Sequence, residues 1–540
     1  MKITTSIITG LFLFINSTFS QAPVIQWDAD LGALDNEQLY SIKQTTDGGY
    51  IMGGYSESGI SGDKTQASHG SSDYWIVKTD SDGVKLWDAR FGGSSVDQLT
   101  DLQQTADGGY ILGGTSFSGI GGDKTQASRG LSDFWIVKTD ANGVMQWDAR
   151  FGGDSLDELH SLQQTFDGGY ILGGYSISIL GGDQTHNRFG GKDFWILKTD
   201  SNGIKQWDSR FGGAQFEELN SVRQTTDNGF ILGGYSLSGI SGNKTKPSQG
   251  SYDYWIVKTD ASGTMQWDAA FGGLDEDWLT QLQQTNDGGY ILGGWSWSGI
   301  TGDKSQPSQG DNDFWIVKTD GNGVKQWDAD FGGSSNDYLG PIQQTIDGGY
   351  ILAGYSSSPV SGSKTEPTQG GIDYWLVKAD SNGVKQWDAD FGGSDFDFLH
   401  SIKQTTDGGY ILGGYSDSGI SGDKTQVNKG VNDYWVIKIN NGGTTDINPI
   451  SLNTDISISS YPNPFSSSTT LDLNLTEANN ISFTMNIVDF AGREVMSIPV
   501  KNIQSGKNKI TLDLSALEIG IYFCKINSNK ISQTIKLIKN

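Results

Sequence analysis

With a single cysteine, Cys524, a chain of 540 residues cannot build a disulfide framework or a cysteine-ligated zinc site within itself. Histidine is nearly as scarce. His69, His160, His186 and His400 are the only four, and no Ser-His-Asp order or cysteine nucleophile can be assembled around them. Positive charge is thin too: 37 Lys and Arg stand against 63 Asp and Glu, giving a net charge of −26 and a pI near 4.4. Phosphate backbones need concentrated Lys and Arg, so nucleic acid is excluded as a partner, and anionic membrane surfaces with it. Long apolar runs are missing as well. The run from Ile7 to Phe14 is too short to cross a bilayer, and no later stretch qualifies as a transmembrane segment. With Lys2 before it and Thr18-Phe19-Ser20 behind, it reads as a secretory signal over residues 1–20. The mature chain is expected to be exported and to owe its stability to packing alone.

What the chain has in plenty is glycine, 76 residues, and tryptophan, 17 residues, and the tryptophans are periodic. One series runs Trp27, Trp87 and on to Trp387, and another Trp75, Trp135 and on to Trp435, both with a period of 60 residues. Such a period calls for a repeat architecture. Each unit carries four strand signals. In the second they are Leu99 to Thr105, Tyr110 to Ser116, Asp133 to Thr139 and Val144 to Arg150. Gly-containing turns join the first to the second and the third to the fourth, so neighbours run antiparallel. Seven such units make an all-β, seven-bladed β-propeller over residues 21–442. The last unit lacks its own Trp-Asp strand, whereas Val24-Ile-Gln-Trp-Asp-Ala-Asp30 stands spare at the start. The N-terminal strand is therefore expected to complete the seventh blade and remove an open edge.

The recurring Asp-x-x-Gly-x-x-x-Trp pattern, as in Asp140 to Trp147, resembles the tryptophan-docking repeat of quinoprotein-like propellers. The resemblance implies blade-to-blade packing by the tryptophan. It also raises the alternative of a secreted quinoprotein-like enzyme, against which stand seven units in place of eight and the lack of an adjacent cysteine pair.

After Asn440 the composition changes. Residues 443–455 read as a linker, and residues 456–540 as a small β-sandwich. The motifs Tyr461-Pro462-Asn463-Pro464-Phe465, Asp489-Phe-Ala-Gly492-Arg493, Leu517-Glu-Ile-Gly520-Ile-Tyr522 and Lys536-Leu-Ile-Lys539 follow in order. They resemble the type A C-terminal sorting domain of type IX secretion. That resemblance implies the type IX machinery as a partner, passage through periplasm and outer membrane of a Bacteroidota-type bacterium, and a surface-attached or released product.

Function concentrates on long loops carried by rigid scaffolds, so the face bearing segments such as Phe117 to Ser132 is the candidate face. It carries an acid in every unit: Glu37, Asp97, Asp157, Glu217, Asp277, Asp337 and Asp397. A ring of seven carboxylates near a channel would suit calcium, unless each accepts N–H bonds from its own Gly-rich connection. Lys78 and Asp88, with their equivalents, read as blade-to-blade ion pairs. His160 and His400 share a position that varies between units and read as a surface slot. The symmetry is broken by aromatics. Three tryptophans lie outside the two series, and all fall in the fifth unit. Trp295 replaces a strand Tyr and reads as core, while Trp278 and Trp297 belong to the loop face, with Tyr338, Phe396 and Phe398 extending the set. Exposed aromatics suit stacking on the C–H faces of sugar rings. The expected site is off-axis, around Trp278, Trp297, Tyr338 and Phe398, with Asp277 and Asp337 as polar partners. No catalytic set is proposed. The functional expectation is a binding or adhesion module for an extracellular glycan or surface protein, with a purely structural role as a further alternative.

Overall fold

The computed structural model describes residues 22–442 and segments lying between residues 456 and 539. The expected signal sequence (1–20), the linker (443–455) and Pro464, Gly492 and Arg493 lie outside the described residues. Two compact units divide the chain, Met1–Thr444 and Thr445–Asn540. Every regular element described is a strand.

In the first unit seven sheets of four antiparallel strands follow one another in sequence order. The second blade is Asp97–Gln104, Tyr110–Ser116, Asp133–Thr139 and Met145–Phe151. Its first strand begins two residues earlier than the Leu99 expected, because Asp97 already pairs with Ser116. In the seventh blade Asp433–Ile439 pairs antiparallel with Ile25–Leu31, from Trp27 opposite Lys438 to Leu31 opposite Tyr434. The ring is closed by the N-terminal strand. The seam is bonded like any other junction: Thr406 N donates to Gln44 Oε1 at 2.9 Å, as Thr46 N donates to Gln104 Oε1 at 2.9 Å.

The two middle strands of each blade are buried along their length, apart from Trp295, Tyr355 and Tyr415 near the end of the second strand in the last three blades, since a blade is covered on both faces by its neighbours. That explains their continuous apolar runs, where a half-exposed sheet would alternate. Each third-strand tryptophan stacks on an aromatic of the preceding blade; Trp135 lies 4.8 Å from Tyr74, whose hydroxyl donates to Trp135 O at 3.0 Å. The fourth-strand Trp87 reaches forward to Tyr110 at 5.9 Å. It also covers Gly143, where φ is +77° and a Cβ would come within 2.7 Å of the indole. The glycine of the repeat motif is thus required twice, by its turn and by the neighbouring tryptophan.

The ion pairs expected between blades form within them instead. Lys78 Nζ meets Asp47 Oδ2 of its own blade at 3.0 Å. Asp88 accepts from Trp75 Nε1 at 3.0 Å and from Thr65 N at 2.9 Å, tying the long loop to the outer strands of one blade. The reason is the turn geometry: Thr45-x-Asp47 folds its carboxylate back over the adjacent third strand, within reach of the lysine. Short turns occupy one end of the ring. Long loops and Gly-Gly connections share the other, joined by bonds such as Ser71 N to Ser95 O at 3.0 Å.

The second unit has one sheet of three strands and one of four. Leu471 and Leu512 from the first meet Met485, Ile487, Tyr522, Cys524 and Leu537 from the second in one apolar core. Burial pushes the Cys524 thiol up to about 12, so it serves as a small apolar filler and not as a nucleophile. Lys539, in the closing motif, is buried and donates to the carbonyls of Leu514, Ser515 and Leu517. Asn463 Nδ2 donates to Ser460 Oγ at 3.0 Å, bracing the bend at Pro462 and Asn463.

Candidate functional site

The seven repeated acids do not meet around the channel. Each is buried and turned back on its own connection: Asp277 Oδ2 accepts from Gly273 N at 2.7 Å and Ser298 Oγ at 3.0 Å, and Asp337 Oδ2 from Gly333 N at 2.7 Å and Ser358 Oγ at 2.9 Å. Glu37, Asp97, Asp157, Glu217 and Asp397 accept the same backbone N–H from Ala33, Gly93, Gly153, Gly213 and Gly393. Among the described residues no three His, Cys, Asp or Glu side chains gather as metal ligands. The acids fix the connections between blades, and Asp277 and Asp337, fully buried, present no carboxylate to a ligand at the surface even though their Oδ1 atoms lack a hydrogen-bond partner.

The aromatics do converge, in a pattern wider than the expected one. In each blade one residue of the first strand faces one of the second across the ladder. In the fifth, sixth and seventh blades both are aromatic: Trp278 opposite Trp295, Tyr338 opposite Tyr355, and Phe398 opposite Tyr415. The rings form a chain. Trp278 stacks on Trp295 at 5.1 Å with planes 15° apart, Trp295 meets Tyr338 edge-on at 5.4 Å, and Tyr338 meets Tyr355 at 5.4 Å. Tyr355 passes to Phe398 at 5.1 Å and Phe398 to Tyr415 at 5.1 Å, with exposed Phe396 alongside. At the other end Trp278 meets Tyr235 at 4.0 Å and Tyr252 at 5.2 Å. The first-to-second-strand pairs of these three blades are all partly buried, so each keeps a solvent-facing edge or face.

Two expectations change with this arc. For Trp295, core placement gives way to partial exposure: it shares the strand face of Ile291 and Gly293, which is turned toward the sixth blade, and its partly exposed ring stands between Trp278 and Tyr338 at the centre of the arc. Trp297, 54% exposed at the start of the long loop, stands apart, and among the described residues no ring stacks on it. The polar side of the mouth lies on the third and fourth blades. There Lys192 pairs with Glu218 and sits 4.1 Å above the Tyr175 ring.

Below the arc the first strands enclose a channel. A cavity of about 400 Å³ is lined there by residues of all seven blades, including Tyr40, His160, Arg223, His400 and Lys403. His160 and His400 therefore face the channel and not the outer surface. His160 Nδ1 lies 2.9 Å from Asn220 Oδ1. His400 packs between Tyr40 at 4.8 Å and Tyr415 at 5.3 Å, and burial pushes it down to about 4, so it is neutral near pH 7.

Comparison with known proteins bears first on the second unit. Residues 459–540 match the family described as the secretion system C-terminal sorting domain. The chain carries a type IX sorting domain. Its destination is accordingly the cell surface or the extracellular space. A regulatory protein, FlaEY, of Caulobacter vibrioides is 26% identical over 166 residues, which are 29% of this chain and 17% of that protein. The chain thus corresponds to under a fifth of that relative's length. Among solved structures, PorZ, a surface component of the type IX secretion system of Porphyromonas gingivalis, aligns over 93% of this chain and 81% of its own, with 11% identity and a TM-score of 0.24. Dimeric latent PorU from Porphyromonas gingivalis aligns over 65% of this chain and 31% of its own, with 12% identity and a TM-score of 0.15.

Proposed function

We propose that the propeller is a non-enzymatic binding module that takes a carbohydrate of the cell surface or its surroundings on the aromatic arc. The observation that carries this reading is the aromatic pairing of first and second strands, Trp278 with Trp295, Tyr338 with Tyr355 and Phe398 with Tyr415, which occurs in the fifth to seventh blades and in none of the other four, although single rings continue the contact from Tyr415 through His400 to Tyr40 and Tyr55 of the first blade. Structural packing repeats in every blade, as the Trp75 and Trp87 series do. A feature gathered on one side of a ring answers to something outside it. Sugar rings present apolar C–H faces that stack on indole and phenol, while tyrosine hydroxyls and the Glu218–Lys192 pair supply polar partners at the rim.

The test is a glycan array on the wild type, followed by calorimetry on Trp278→Ala, Trp295→Ala and Trp297→Ala. Each arc substitution is expected to weaken binding by about 1–3 kcal/mol, on the scale of base–aromatic stacking. Trp297→Ala is expected to bind as wild type. Unchanged affinity in both arc variants, with unchanged unfolding, would remove the site. A quinone absorption band in the purified protein would instead revive the enzyme alternative.

A further inference from the structure

One level of the channel, nearer the short-turn end than the arc, is lined by hydrogen-bond donors. The repeat places a glutamine there in four blades, Gln103, Gln163, Gln283 and Gln343, and a cation in the other three, Lys43, Arg223 and Lys403. These residues line two cavities of about 280 and 380 Å³ in the channel. Each glutamine has its carbonyl fixed: Gln103, Gln163, Gln283 and Gln343 Oε1 accept the backbone N–H of Gln164, Gln224, Gln344 and Gln404 at 2.8, 2.8, 2.9 and 3.1 Å. A flipped amide would set N–H against N–H, so the NH₂ groups are left facing the lumen.

The cations are under-compensated. Asp101, the carboxylate among them, pairs with Lys43 at 3.4 Å and also accepts from Ser41 Oγ, Leu102 N and Leu162 N. Arg223 donates to Ser161 Oγ at 2.8 Å and Val222 O at 2.7 Å, and meets no carboxylate among the described residues. Lys403 has neither hydrogen bond nor ion pair among the described residues. In a chain of net charge −26 the field outside attracts cations, yet this lumen is built to donate to something negative.

We propose that this level of the channel is an oxyanion site, taking a carboxylate or phosphate group between Lys403, Arg223 and Lys43 with the glutamine amides donating around it. Charged donors and a carboxylate or phosphate acceptor form the stronger class of hydrogen bond, and an arginine adds a planar fork. Burial, with Lys43 and Arg223 as like charges nearby, pushes Lys403 down to about 7; Asp101 opposes this, and the neutral His400 adds no charge. An arriving oxyanion would restore the proton to Lys403. The site stands on the cations and amides alone and is independent of what stacks at the mouth.

Calorimetry of the full chain at low ionic strength tests it, with inorganic phosphate, glucuronate and glucose as probes. The expected result is saturable binding of phosphate or glucuronate and none of glucose, with proton uptake at alkaline pH, revealed by buffers of different ionisation heat. The oxyanion that binds names the source, phosphate or carboxylate. Lys403→Gln and Arg223→Gln should each weaken binding by about tenfold or more. The exposed Lys246→Gln should not. Glutamine already stands at this position in four blades, so both variants suit the fold. No saturable heat from either oxyanion, or wild-type affinity in both channel variants, would overturn the assignment. A failure here leaves the sugar-stacking variants untouched, and their failure leaves this site untouched.

Discussion

Asp28 and Asp148 make the same three bonds in different blades, but only Asp28 lies on the N-terminal strand. Asp28 Oδ2 accepts from Trp435 Nε1 at 3.3 Å and Thr425 N at 2.9 Å; Asp148 Oδ2 accepts from Trp135 Nε1 at 3.0 Å and Thr125 N at 3.0 Å. In both, the threonine hydroxyl donates to the second carboxylate oxygen. Replacing either aspartate by alanine strands a fully buried indole N–H, while the exposed threonine groups recover bonds to water. An unsatisfied buried donor costs roughly 1–3 kcal/mol, and the loss of the ladder's outer anchor sits within that range. At about 2 cal/mol/K of unfolding entropy per residue, a ring of this size would shift its Tm by only a few degrees, so equilibrium denaturation is the better assay. Asp28→Ala and Asp148→Ala should destabilise the propeller equally within error. A full loss in Asp148→Ala with none in Asp28→Ala would show that the N-terminal strand does not hold the seventh blade in solution.

Two further outcomes follow from the same geometry. In the fifth and seventh blades a buried carboxylate faces a second one: burial and Asp330 push Asp313 up to about 8, and burial and Asp30 push Asp433 up to about 8. Groups whose folded value is raised contribute stability that is full below the ordinary carboxyl value of about 4 and is lost as pH rises through about 8. Denaturation midpoints should therefore fall between mildly acidic and mildly alkaline pH, and Asp330→Asn should flatten part of that slope; an unchanged slope would contradict the effect of Asp330 on Asp313. Separately, a chain ending near Thr445 should fold when made in the cytoplasm yet stay inside its native cell, as fractionation would show; normal export would contradict the role given to the sorting domain.

The ring was legible because its cause is local and repeated. The 60-residue period, the missing last Trp-Asp strand and its spare copy at the start are all visible without coordinates. The site was only half legible. Trp278, Tyr338 and Phe398 stand out as breaks in the repeat, but Trp295 joins them only once the ladder sets it opposite Trp278. Trp297 shares their sequence neighbourhood and not their place, since it follows the strand and points into the loop. The acid ring failed for a similar reason: a repeated carboxylate near an axis looks the same in sequence whether it faces the lumen or its own backbone. The channel cations left a readable trace, Lys43, Arg223 and Lys403 interrupting a glutamine position. Its meaning depended on knowing that this position faces the lumen.

On the proposed reading, ligand meets the arc and not the loop tryptophan. Indole N–H resonances, assigned by Trp→Phe substitution, can be followed while a glycan selected on the array is titrated into the full chain. The Trp278 and Trp295 signals should move together and saturate with the binding isotherm while Trp297 stays still. Movement of Trp297 alone, or of none of the three at saturation, would contradict that reading.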